Sequence, residues 1–273
     1  MEQFPARIHV LLARQAPIGV VIRRGPAKAV ATLLWDRQND TFQLGQWFRG
    51  RIYERRCDLS PDGRHLLYFA MSGHWEGESK GSWTAISRAP FLKAIAMFPK
   101  GDGWNGGGLW TSPTRYWLNE GGISKHSVLR NTSEVSRDTI YHPETYFGGE
   151  CLGVYYPRLM RDGWKLIEEL GTDDFDIFEK PIGKGWVLRK KANAGNHPKG
   201  KSIYWDEHEL IHPDSNALIP CPKWEWAELD GNRLVWAADG ILNASQVAEG
   251  GIKDQTKLFD FNSMKFERIR APY

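Results

Sequence analysis

Two short stretches of this chain share one layout, and a hairpin that occurs twice constrains the rest of the chain to be read as repeats of it. Residues 55–70 read RRCDLSPDGRHLLYFA and residues 226–238 read WAELDGNRLVWAA. Each runs from a small residue, an acid and Leu into an Asp-Gly turn. An Arg follows, then an aliphatic and aromatic run ending in Ala. In the first copy Pro61 presets φ for a turn and Gly63 supplies the positive φ that closes a short hairpin.

A second hairpin type recurs as well. Residues 30–47 (VATLLWDRQNDTFQLGQW) and 257–271 (KLFDFNSMKFERIRA) both go from apolar and aromatic residues through Asp and a short polar turn to Phe and an alternating strand. Between these ends the two types alternate. The first type is read at residues 7–24, 55–70, 108–121, 175–192 and 226–238. The second type is read at 30–47, 82–100, 152–170, 203–220 and 257–271. That pattern predicts five four-stranded modules, with first-type turns about 46 to 71 residues apart, the range of a propeller blade.

The SPDG hairpin with its following apolar strand, and Trp35-Asp36, resemble the TolB-like and WD-repeat β-propeller families. The likeness runs over most of the chain as a pattern, and its strongest copies are 55–70 and 226–238. The Gly-His pair of many WD repeats is missing, and Trp-Asp returns only in altered form as Phe259-Asp260. The resemblance implies a fold and no activity. The expectation is an all-β chain and a single five-bladed β-propeller of four-stranded antiparallel blades, near 6–50, 51–100, 101–170, 171–222 and 223–273. A β-sandwich is the alternative.

Composition agrees with an all-β chain and narrows the partners. Thirteen Trp suit strands, and 28 Gly suit the turns between them. A net charge of +3, with Lys and Arg scattered, does not point to nucleic acid. No apolar run reaches the ~18 residues of a membrane span, and the first seventeen residues do not read as a signal peptide. Cys57, Cys151 and Cys221 are odd in number and widely spaced, which predicts free thiols and a cytoplasmic location.

The connections inside the modules are where function is expected. Those at 71–81, 121–150, 193–202 and 239–255 read as long, against a short one at 25–28. Insertions gathered on one face of a rigid scaffold make loop-built sites, although extra loop length alone costs only ~0.6 kcal/mol per doubling. The first loop offers His74, Trp75, Glu76 and Lys80. The largest offers Lys125, His126, Arg130, Arg137, Asp138, His142 and Tyr146, with Trp104 and Trp110 nearby. Asn196 and His197 come from the third. This two-signed, aromatic mixture fits a protein partner on a non-catalytic scaffold, an inhibitor or immunity-type protein being one version. A glycan or small ligand on the same aromatic residues is the alternative from another class.

Catalytic strings are weighed against their settings. His208-Glu-Leu-Ile-His212 matches the zinc pattern HExxH, which needs a helix to place both His on one face. Pro213 follows at once and the flanks read as strands, where residues four apart stand roughly 13 Å from each other. A zinc hydrolase is therefore a remote reading, and no cofactor is called for. Gly106-Gly107-Gly108 lacks the Lys-Ser/Thr of a phosphate loop, and no GxSxG occurs. Asp58, Asp176 and Glu228 are the acids a glycosidase funnel would use, but Asp58 and Glu228 fall at equivalent repeat positions, which favours a structural role.

Overall fold

The computed structural model describes residues 4–25, 29–148, 150–169, 175–193 and 203–273. Its strands form five separate, mostly antiparallel sheets met in chain order. The first is β1 (Arg7–Leu12), β2 (Ile18–Arg24), β3 (Ala29–Asp36) and β4 (Thr41–Arg49). The second pairs β5 (Arg51–Ile52) and β6 (Asp58–Leu59) with the same edge of β7 (His65–Met71), followed by β8 (Ser82–Arg88) and β9 (Ala94–Pro99). The third is β10 (Gly108–Trp110), β11 (Arg115–Leu118) and the two-residue β12 (Ser136–Arg137), which runs parallel to its neighbour. After helix α1 (Leu152–Arg161), the fourth holds β13 (Lys165–Glu168), β14 (Phe175–Gly183), β15 (Trp186–Asn193), β16 (Trp205–His212) and β17 (Ala217–Cys221). The fifth is β18 (Trp224–Asp230), β19 (Arg233–Ala238), β20 (Ile241–Ala248) and β21 (Gly251–Asp260). No helix among the described residues is long and apolar enough to cross a membrane.

By packing, the chain divides into two compact units. One holds Met1–His9 with Leu159–Met264, and the other Val10–Arg158 with Lys265–Tyr273. In the second unit the core lies between sheets. Leu11, Val20 and Ile22 of the first sheet pack with Leu66, Tyr68 and Ala85 of the second. On the other side Leu67, Ile86 and Phe98 pack with Trp110, Tyr116 and Leu118 of the third. Alternate residues of β7 thus face two different neighbours, which is why the run Leu66–Met71 is apolar throughout rather than alternating. In the first unit Trp224 stacks on Trp236 at 4.6 Å, and His208 on β16 bonds the Trp224 carbonyl at 2.9 Å.

Carboxylates tie one sheet's opening strand to the next. Asp58 Oδ2 on β6 accepts from the Trp110 N–H on β10 at 2.7 Å, inside the second unit. Inside the first, Glu225 Oε1 on β18 accepts from the Ile8 N–H on β1 at 2.8 Å.

Turn chemistry builds the hairpins. In the SPDG turn Gly63 has φ +76, Ser60 Oγ donates to Asp62 Oδ1 at 2.6 Å, and Ser60 Oγ accepts from His65 N at 2.9 Å. A Cβ on Gly63 would sit 2.8 Å from Ile18, so both the conformation and the close approach require glycine. The copy at 226–238 closes on Gly231, φ +63, with Arg233 paired to Asp230.

Two second-type hairpins are not formed. Residues 152–170 hold α1 and the single strand β13. Residues 153–159 are all buried, and Tyr155 N donates to Cys151 O at 3.0 Å. Gly163, at φ +93, ends the helix in a turn that sequence had placed inside a hairpin. At the far end β21 stops at Asp260 and pairs backwards with β20, Leu242 opposite Phe259. The connection read as long at 239–255 is in fact the two-residue turn Asp239-Gly240, with φ +52 and +76. That is the primed turn that fits hairpin twist.

Candidate functional site

Three connections of the second unit converge on a buried ion pair. Lys100, at the end of β9, is almost wholly buried and holds Asp102 at 3.0 and 3.1 Å. Its Nζ also donates to the Ser124 carbonyl. Asp102 in turn accepts from Ser124 N at 2.7 Å and Trp104 N at 2.8 Å, while its carbonyl accepts from Ser82 Oγ. Burial opposes ionisation of Asp102, but Lys100 and those two N–H groups outweigh it and hold the carboxyl below its ordinary range. One acid thereby fixes residues 100–105 to residues 121–125.

Close glycine contacts complete the junction. Gly122 lies against Trp104, where a Cβ would stand 2.9 Å from the Trp104 Cβ. Gly101 faces Lys80, with 3.7 Å from its Cβ position to the Lys80 side chain. The loop 72–81 is closed by Ser72 N and Gly73 N bonding Gly81 O, and the Trp75 ring rests on Gly81. Nine of the thirteen Trp are buried, whereas Trp75 and Trp104 are about half exposed. His74, Glu76, Lys80 and Lys125 are exposed with them.

A second tether runs beside the first. His126, expected at the surface, has its ring buried. Its Nε2 is 2.8 Å from Thr84 Oγ1, and Nδ1 is 3.2 Å from Glu120 Oε2. Glu120 Oε1 accepts from Arg137 at 2.9 Å. Burial works against the Glu120 anion, yet His126 and then Arg137 prevail and bring its carboxyl down to about 2. Hydroxyl, imidazole and carboxylate stand here in the order a nucleophilic relay uses. The geometry serves as a tether, because Thr84 is completely buried and its Oγ1 also accepts from Gly107 N at 2.8 Å.

The remaining predicted contacts lie in other places. Arg130 is exposed and bonds the Ala94 carbonyl at the edge of β9. His142 and Tyr146 are exposed in the stretch whose Tyr141 packs on Trp117 and whose Phe147 packs on Tyr156. Asp138 is buried, accepting from Thr111 Oγ1 and Arg115, and Trp110 is in the core rather than on the face. Asn196 and His197 fall outside the described residues. Sequence reasoning missed Lys100, Asp102, Thr84 and Glu120. A Lys and an Asp two apart, just after a buried strand, were the available signal.

The catalytic strings resolve as structure. His208-Glu-Leu-Ile-His212 lies on strand β16, not a helix. His208 is buried with Nε2 2.8 Å from Lys190 Nζ, while His212 lies edge-on to Trp186. Among the described residues no group of three or more His, Cys, Asp or Glu is placed to hold a metal. Asp58 accepts a backbone N–H as above, Asp176 is buried on β14, and Glu228 accepts from Trp164 Nε1 at 2.8 Å and Lys180 Nζ at 2.6 Å. The three cysteines are buried free thiols. Burial pushes Cys57 and Cys221 up to about 12 and raises Cys151, so none is a ready nucleophile.

No family model matches the chain, and no curated protein matches it. Among solved structures it is similar to the uncharacterized protein lmo1340 from Listeria monocytogenes EGD-e, with TM-score 0.30 and 9% identity over 94% of this chain and 67% of that one. A cobalt-substituted Synechocystis ACO follows at TM-score 0.18 and 8% identity, and the chain spans about half (51%) of its length. Likenesses this slight leave fold and function to be argued from the chain itself.

Proposed function

We propose that this chain is a single-domain, five-bladed β-propeller of the TolB-like or WD-repeat kind, acting in the cytoplasm as a non-catalytic binding protein whose loop face holds a protein partner. The five sheets are the blades. The ring is supported by the opening-strand carboxylates, Asp58 reaching the third sheet from the second and Glu225 reaching the first from the fifth. The loop face is supported by one observation above the others. Of twelve exposed large apolar side chains among the described residues, seven sit in the connections 72–81, 100–107 and 119–151: Trp75, Trp104, Ile123, Val128, Leu129, Ile140 and Tyr146. Apolar and aromatic side chains held in the open by buried tethers are what protein interfaces use as anchors.

The test is recovery of partners from source cells with the full chain and with a variant in which residues 121–150 are replaced by a short turn. Loss of a specific partner in the variant, with its fold kept, is expected; equal recovery sinks the reading. An inhibitor or immunity-type blocker of a partner enzyme is one form of it. The exposed faces of Trp75 and Trp104 favour carbohydrate as the second reading, since flat aromatic faces suit sugar rings. Binding on a glycan array that disappears in Trp75→Ala and Trp104→Ala would replace the first reading by this one.

A further inference from the structure

The stretch Lys265–Tyr273 has no regular secondary structure, yet it is anchored at three points, all inside the second unit. Phe266 packs on Trp47 of β4 at 5.9 Å, with the Arg49 guanidinium over its ring at 4.9 Å. The Ile269 carbonyl accepts from Gln46 Nε2 at 2.9 Å, and the Gln46 Oε1 accepts from Leu92 N and Lys93 N in the β8–β9 turn. Tyr273 closes on that same turn. Its hydroxyl donates to the Lys93 carbonyl at 2.7 Å and accepts from Arg88 N at 3.1 Å. Arg88 lies over its ring at 4.7 Å and Lys93 at 5.2 Å, while Phe91 meets it edge-on.

Arg88 is shared with the long connection. Its Nη2 and Nε hold Glu134 at 2.7 and 3.2 Å, and Glu134 also lies 3.4 Å from His65 Nε2, whose ring lies tilted against Trp110. One guanidinium thus lies over the Tyr273 ring and holds the Glu134 carboxylate, so the ring on one side positions it for the carboxylate on the other. We propose that Lys265–Tyr273 is a latch that, through Tyr273 and Arg88, holds residues 131–137 of the long connection against the β8–β9 turn. The latch thereby couples docking of this tail to the order of a segment bordering the loop face.

Hydrogen exchange on the full chain tests it. In Tyr273→Ala, amides of 131–137, among them Ser136 N bonded to Thr114 O, exchange about threefold faster or more, the size of one lost hydrogen bond. Loop 72–81 and the fourth sheet stay unchanged. Tyr273→Phe, which keeps the ring and loses only the hydroxyl bonds, gives a smaller change, and Tyr273→Ala adds nothing in an Arg88→Ala background. Unchanged exchange at 131–137 while the tail itself exchanges faster overturns the proposal. So does a rise spread evenly over all peptides, which means general loss of stability.

Discussion

Glu120 holds two groups with one carboxylate, the His126 ring and backbone N–H on Oε2 and Arg137 on Oε1. Its carboxyl lies at about 2 against an ordinary 4.5, so the stabilisation is complete above 4.5 and is lost as pH falls toward about 2. Glu120→Gln should therefore lower the urea midpoint at pH 7, with the gap to the parent protein closing as pH falls below 4.5. A gap that stays constant down to pH 3 refutes this role. The thiols make a second residue-scale prediction. With Cys57 and Cys221 near 12 and Cys151 raised by burial, a colourimetric thiol reagent at pH 8 should label none of them until denaturant is added. Rapid labelling of any one in the native protein would show that it is reached by solvent.

At the level of elements, what could be read from sequence was what turn chemistry controls. Ser60-Pro61-Asp62-Gly63 and Asp230-Gly231 announce hairpins because only certain residues tolerate their backbone angles, and such constraints are local. Helix α1 was not legible. Val154-Tyr155-Tyr156 favour strands and Pro157 interrupts helices, but burial of the whole run 153–159 overrides both preferences. Asp239-Gly240 was legible and was passed over, the apparent partner of β21 having been sought beyond residue 261 instead of at β20. Gly240→Ala tests that turn directly. At φ +76 with Asn262 against its Cα, the substitution should cost roughly 2 kcal/mol or more in denaturant unfolding, and an undisturbed midpoint would contradict the turn. The exposure of Trp75, Lys80 and Trp104 was legible as composition, since they stand in polar connections. The buried contacts beneath them were not, because Thr84 meets His126, Lys100 meets Ser124 and Glu120 meets Arg137, 42, 24 and 17 positions away.

For the whole molecule, a closed five-bladed ring makes a prediction about size. A compact single domain of this length has a radius of gyration of about 18–19 Å. Small-angle scattering in that range fits the proposed ring, and a value above about 22 Å would count against it. The Glu225 carboxylate has a consequence for the order in which this protein can be made. Ile8 is made 217 residues before the Glu225 that accepts its N–H, and Ala6 is made 256 residues before its partner Asn262. The N-terminal end of β1 is therefore synthesised long before the carboxylate that it bonds. Until the fifth sheet emerges, the Ile8 N–H of β1 lacks its Glu225 acceptor, at a stage when nascent chains are most prone to aggregate. Chaperone dependence, if this chain has it, should concentrate on the interval between the synthesis of β1 and that of β18.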